Sequence, residues 1–147
     1  MTEKEIIDKY KYMFLDNFKF ECGSGWNSLI YLTLSFLSDI DTKKLIEIFQ
    51  IKEKLGGLRI NLNYDKLKEN LSKEEWEDIF NKIFWQLNQF EQLSYTLCEN
   101  DGKSGKLRKD LDWIQTLCDD CYKLERDALN SRLVDLLCSG LLTSNDI

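Results

Sequence analysis

From Ser72 onward, apolar residues recur at spacings of three and four: Trp76, Ile79, Phe80, Ile83, Phe84, Leu87, Phe90, Leu93 and Leu97. That period is one face of an α-helix. It predicts a helix of about 25 residues, opened by Ser72 and Glu75 as a capping box. A helix of that length is about 37 Å long, so its apolar stripe has to be covered by several other elements. The chain has 147 residues to do this, 43% of them apolar. A chain of this size buries roughly 68–70% of its unfolded surface. A single domain over residues 1–147 is expected, with no interdomain linker and no internal repeat.

The covering elements are legible on either side. Thr2 and Glu5 form a second capping box, followed by Ile6, Ile7, Tyr10, Phe14 and Phe18 on one face, which predicts a helix ending near Asn17. Gly23 and Gly25 then break the chain. Residues Trp26 to Ser38 are apolar nearly all round, the mark of a helix central to the core. Between Ile46 and Tyr64 the period changes to two. Leu58, Ile60, Leu62 and Tyr64 alternate with Arg59, Asn61 and Asn63, and Ile46, Ile48, Phe49 and Ile51 make a less regular partner strand with a bulge. Gly56-Gly57 is the expected hairpin turn. Residues Cys98 to Asp112 read as a loop or short hairpin, and Trp113 to Leu117 as a short strand. Asp119 or Asp120 is expected to cap a last helix that Gly140 stops, with a frayed tail after Thr143. The fold class is therefore α+β, mostly helical, with about four helices, a β-hairpin and a C-terminal knuckle-like loop.

The residues also exclude chemistry. The chain has no His, which removes every Ser-His-Asp or Cys-His pair and every His-ligated metal site. It has no phosphate-binding P-loop and no dinucleotide fingerprint, and no carboxylate pair stands beside a nucleophile. No catalytic residue is assigned and no enzyme activity is expected. The net charge is −6, with 11 basic and 11 acidic residues in 1–70 and 9 basic against 15 acidic in 71–147. A nucleic-acid binder needs a basic patch to neutralise phosphates, so neither DNA nor RNA is an expected partner. No apolar stretch reaches the length of a membrane span, and the N-terminus carries no leader pattern. With five cysteines, an odd number, the expectation is free thiols in a reducing, cytoplasmic setting.

Two features are left as candidate sites. Cys98, Asp101, Cys118 and Cys121 are spaced C-x2-D-x16-C-x2-C. With four cysteines this spacing is a structural zinc pattern. Structural sites prefer Cys and His over Asp, so the sequence predicts substoichiometric zinc or no cofactor. The alternative is that the thiols are small core residues and Asp101 a turn residue. The second feature is the run Asp110, Asp112, Asp119, Asp120, Glu125 and Asp127, with Trp113 and Tyr122 interleaved. Aromatics among charges are typical of interfaces. Asp110, Asp112, Trp113, Asp119 and Asp120 are the expected partner-binding residues, and a basic protein the expected partner. A solvated acidic face is the plainer reading of the same run.

Three motifs carry a resemblance. Glu21-Cys22-Gly23-Ser24-Gly25-Trp26, then Lys52-Glu53-Lys54-Leu55-Gly56-Gly57-Leu58-Arg59, then Cys98 with Thr116-Leu117-Cys118-Asp119, are similar in order and kind to a family of small bacterial and phage proteins. That family's pattern reads ECGDGW, KEKFGGLR, CxxCG and TLCDxH. The resemblance covers residues 21–121 and implies a zinc-knuckle pair and an architecture, and no activity. Asp101 stands where the family has its second Cys, and Cys121 where it has His. Two functions are expected from these features together. The first is an inhibitor or immunity protein that neutralises a basic partner such as a nuclease toxin. The alternative is a phage or mobile-element accessory protein that binds a host factor.

Overall fold

The computed structural model describes residues 1–141 and 145. Five α-helices and two antiparallel hairpins follow in the order α1 (Glu3–Lys9), α2 (Asn27–Ile40), β1 (Glu47–Lys54), β2 (Gly57–Asn63), α3 (Asp65–Asn70), α4 (Lys73–Ser94), β3 (Lys106–Arg108), β4 (Gln115–Leu117) and α5 (Asp119–Cys138). The fold is α+β and mostly helical. The expected frayed tail falls, apart from residue 145, outside the described residues.

The all-round apolar segment is the centre of the molecule. Leu29, Ile30, Thr33, Leu34 and Leu37 of α2 are buried, and Thr33 satisfies its hydroxyl on the Leu29 carbonyl at 2.8 Å. Ile6, Met13, Trp26, Ile46, Ile48, Ile51, Leu58, Leu67 and Ile83 close around them. The hairpin lays one face on this core. A bulge between Ile48 and Gln50 lets both Ile48 and Ile51 point inward while Phe49 turns out to solvent. An extra residue in one strand flips the alternation locally, which explains the irregular pattern of β1.

Four expectations are corrected. Helix α1 ends at Lys9, well before Asn17, and a short 3-10 turn follows at Lys11–Met13. The competitor is the open edge of β1. Phe14 and Glu21 bridge to Ile48 and Lys52, and Glu21 exchanges backbone hydrogen bonds with Ile51 and Glu53 at 2.9 and 3.0 Å. The tight turn of the hairpin is Leu55-Gly56, both at positive φ (52° and 82°), because Gly57 already pairs with Lys54 in the ladder. Positive φ at both turn residues is what a two-residue hairpin needs. Helix α3 was not expected. It is a short segment that buries only Leu67. Helix α4 runs for 22 residues and buries only Ile83 and Ser94. Phe84 and Leu93 lie at the margins of its stripe and are 59% and 50% exposed. The helix therefore lies over the core as an outer layer.

Candidate metal centre

Residues 97–121 form a separate small unit with its own apolar cluster of Cys98, Leu117 and Cys118, flanked by Leu111, Cys121 and Tyr122. Its first half is a tight turn. The Cys98 N–H donates to the Lys103 carbonyl at 2.7 Å, and the Gly102 N–H donates back to the Cys98 carbonyl at 2.9 Å. Gly102 takes φ +75°, a conformation that a side chain disfavours. Strands β3 and β4 then pair over Lys106↔Leu117 to Arg108↔Gln115 and return the chain beside Cys98. The first turn of α5 follows at once. Its N-cap is Cys118, whose sulfur accepts the Cys121 N–H at 3.4 Å. The cap thus falls one residue before the expected Asp119 or Asp120. Both are instead inside the first turn, where their charge suits the helix dipole.

This arrangement gathers four potential ligands. The sulfurs of Cys98, Cys118 and Cys121 and a carboxylate oxygen of Asp101 all lie within 4.8 Å of one another. Tetrahedral zinc–thiolate geometry separates neighbouring sulfurs by about 3.8 Å, so the set matches in kind and in scale. Asp101 is divided between two tasks. Its Oδ1 accepts the Lys103 N–H at 2.9 Å, and its Oδ2 accepts from the thiols of Cys118 and Cys121 at 3.2 and 3.4 Å. The bond from Lys103 fixes the carboxylate in its orientation, as partners outside a metal's ligand set do. The same bond, then those from the thiols, hold its pKa down at about 2, so it is an anion at any physiological pH. The Cys121 thiol is pushed up to about 12, first by desolvation and then by the neighbouring thiols and Asp101. Three sulfurs crowded on a carboxylate resist further negative charge, and a bound cation would reverse that balance.

The two glycine motifs, far away in sequence, are the socket for this unit. The Gly25 N–H donates to the Glu99 carbonyl at 2.7 Å, and the Gly23 N–H donates to the Glu99 carboxylate at 2.9 Å. A Cβ at Gly25 would lie 2.5 Å from the Glu99 carbonyl oxygen and 2.6 Å from the Gly102 nitrogen, and closer still to the Cys98 carbonyl oxygen. The Trp26 indole N–H donates to the Leu97 carbonyl at 2.9 Å. From the other side, the Gly56 carbonyl accepts the Thr116 hydroxyl at 2.6 Å, and a Cβ at Gly56 would meet Leu107. Spacing alone could not reveal this role, because it needs the β1–β2 turn and the α2 entry to converge on one place. The glycine-rich motifs themselves were the available signal.

The five expected partner-binding residues lie on the same unit but do not form one free anionic patch. Asp110 accepts from the Tyr122 hydroxyl at 2.6 Å and pairs with Arg126. Asp112 pairs with Arg132, and Asp119 with Arg108, each at 2.6 Å. The hydrogen bond from Tyr122 chiefly lowers the Asp110 pKa, and that from Arg108 the Asp119 pKa. Arg108 also stacks on the Tyr122 ring, 4.3 Å from its centroid. Asp120 is exposed and makes no ion pair among the described residues, and Trp113 is 54% exposed. None of the described residues of helix α5 is buried, and Leu124 is 70% exposed. All five cysteines are free thiols. Among the described residues no helix is long and apolar enough to cross a membrane. No protein-family model, curated protein or solved structure matches the chain.

Proposed function

We propose that the chain is a non-enzymatic binding protein whose C-terminal knuckle is closed by one structural zinc on Cys98, Asp101, Cys118 and Cys121. The observation that carries this is the convergence of those four ligand atoms within 4.8 Å. The sequence alone argued for little or no zinc because Asp101 replaces a cysteine. The carboxylate oxygen nevertheless sits among the sulfurs, oriented by the Lys103 N–H. Four protein ligands leave no open position for water or substrate, which is the pattern of structural rather than catalytic zinc. Zinc bound there would tie the 98–101 turn to the start of α5. It would fix the start of that helix, whose exposed side chains are then held in place as a presenting element.

Exposed on or beside that helix are Trp113, Asp120 and Leu124. A net charge of −6 and the lack of a basic cluster favour a basic protein partner, such as the toxin of an inhibitor or immunity pair. One observation favours the second reading, an accessory protein docked on a host factor. Three of the four aspartates are already neutralised by arginines, whereas Leu124 and Val134 are open to an apolar partner. Elemental analysis of protein purified without chelator tests the zinc centre. One zinc per chain, lost in Cys118→Ser, is the expected result, and a metal-free wild type overturns it. Partner capture in buffers of rising salt separates the two readings, since only the basic partner should be lost steeply with ionic strength.

A further inference from the structure

The three sulfurs of the centre are not equivalent. Cys98 is fully buried, and its backbone is fixed on both sides by Lys103 and Gly102. Cys118 is 7% exposed at the cap of α5, and Cys121, one turn on, is open enough for solvent to reach. Cys118 and Cys121 are three residues apart at a helix start, and the sulfur of the first already accepts the N–H of the second. A disulfide needs its sulfurs at about 2.05 Å. Closing the gap between these two takes side-chain rotation in a single helical turn, whereas a bridge to Cys98 would have to form at a fully buried sulfur.

We propose that this pair makes the centre a redox-released metal site, with Cys121 meeting a peroxide first and Cys118 resolving it. The proposal rests on the zinc reading above. In the first step the Cys121 thiolate attacks one peroxide oxygen, the O–O bond breaks, and a sulfenic acid and hydroxide form. In the second the Cys118 thiolate attacks the Cys121 sulfur and displaces the second hydroxide. Two thiolates lose two electrons to one disulfide, and hydrogen peroxide is reduced to two hydroxides that take up protons as water. Two of four ligands are then gone, and Cys98 with Asp101 alone do not retain zinc. Reduction by a dithiol restores the set. What this chemistry would release is the tie between the 98–101 turn and the first turn of α5, which stays paired to the β3–β4 loop through Arg126 and Arg132.

The test uses full-length protein carrying Cys138→Ser, because Cys138 is exposed and would form intermolecular disulfides. Zinc-loaded protein is titrated with hydrogen peroxide. Released metal is followed with a chromogenic chelator, and cysteine pairing is mapped by alkylation and mass spectrometry. One zinc released per Cys118–Cys121 disulfide, with Cys98 still alkylatable and rebinding after dithiothreitol, is expected. Protein that takes up no zinc overturns the metal reading and the release step with it. Protein that loads zinc and keeps it while the pair is oxidised, or that oxidises through Cys98, overturns the redox inference alone.

Discussion

Replacing Gly25 with Ala is the sharpest test of how the knuckle is seated. The new Cβ would fall among three backbone atoms, the carbonyl oxygens of Cys98 and Glu99 and the nitrogen of Gly102. None of these is the end of a flexible side chain, so the 98–102 turn itself has to retreat. Gly25 is not at positive φ, so no conformational penalty enters and the clash acts alone. Overpacking of this kind costs about 1–3 kcal/mol. Loss of the 2.7 Å bond from Gly25 to Glu99 adds about 1 kcal/mol. The sum, about 2–4 kcal/mol, is a large share of a typical stability of about 5–15 kcal/mol. Urea denaturation gives the difference directly, and a thermal melt should fall by roughly 4–16 °C. Gly140→Ala is the control. That position has φ +76° with nothing among the described residues within 4 Å of a Cβ, so it should lose only about 1 kcal/mol. A Gly25→Ala protein no less stable than the Gly140→Ala protein would refute the socket. Because Cys98 moves with the turn, zinc affinity in Gly25→Ala should also drop at least about tenfold.

Other outcomes follow from the same contacts. Asp101→Cys should keep one zinc per chain and hold it against chelator longer than wild type, while Asp101→Ala should lose it; equal retention in both would show that residue 101 is not a ligand. The folded-state pKa of Asp110 lies below its ordinary value of 3.8, mainly through the Tyr122 hydroxyl. Its contribution is therefore present above the ordinary value and lost as pH falls through the depressed one. Melts of wild type and Asp110→Ala should differ at pH 7 and draw together as pH falls below 3.8, and a gap that does not narrow there contradicts the assignment. Charge reversal at Asp119 and Asp120 should slow association with a basic partner at low salt, and Asp120→Lys alone should account for most of it because Asp119 is held by Arg108. Association rates measured against salt decide this.

What the sequence made legible was what local periodicity encodes. The alternation at Leu58–Tyr64, the bulge in β1, the caps at Thr2 and Ser72 and the stop at Gly140 all follow from nearest neighbours along the chain. Local reading went wrong at residues 10–21, where Phe14 continues a helical stripe yet lies extended beside β1. There the unpaired edge of a strand distant in sequence outbids the helix. The ligand set was legible as spacing. Its fitness was not, because the place of Asp101 depends on a hydrogen bond to its own turn. The acidic run looks different in space from how it reads along the chain. Arg108, Arg126 and Arg132 are scattered in sequence but fold back onto Asp119, Asp110 and Asp112. Charge counted along the chain is then not charge displayed in space.

The seating of the knuckle on Gly25, Trp26 and Gly56 has a bearing on the order of assembly. Those contacts join residues about 60 to 75 positions apart, such as Trp26 with Leu97 and Gly56 with Thr116. Closing loops of that length is slow. Small zinc fingers condense around their ion from an unfolded chain. Here the platform that seats the turn at Cys98 belongs to the first half of the protein, so docking of α2 and the β1–β2 hairpin would help hold the four donors together. Capture of a metal there would then be a late event of folding. The rate at which a chain emerging from denaturant takes up zinc would follow the rate of that docking and not the concentration of the ion.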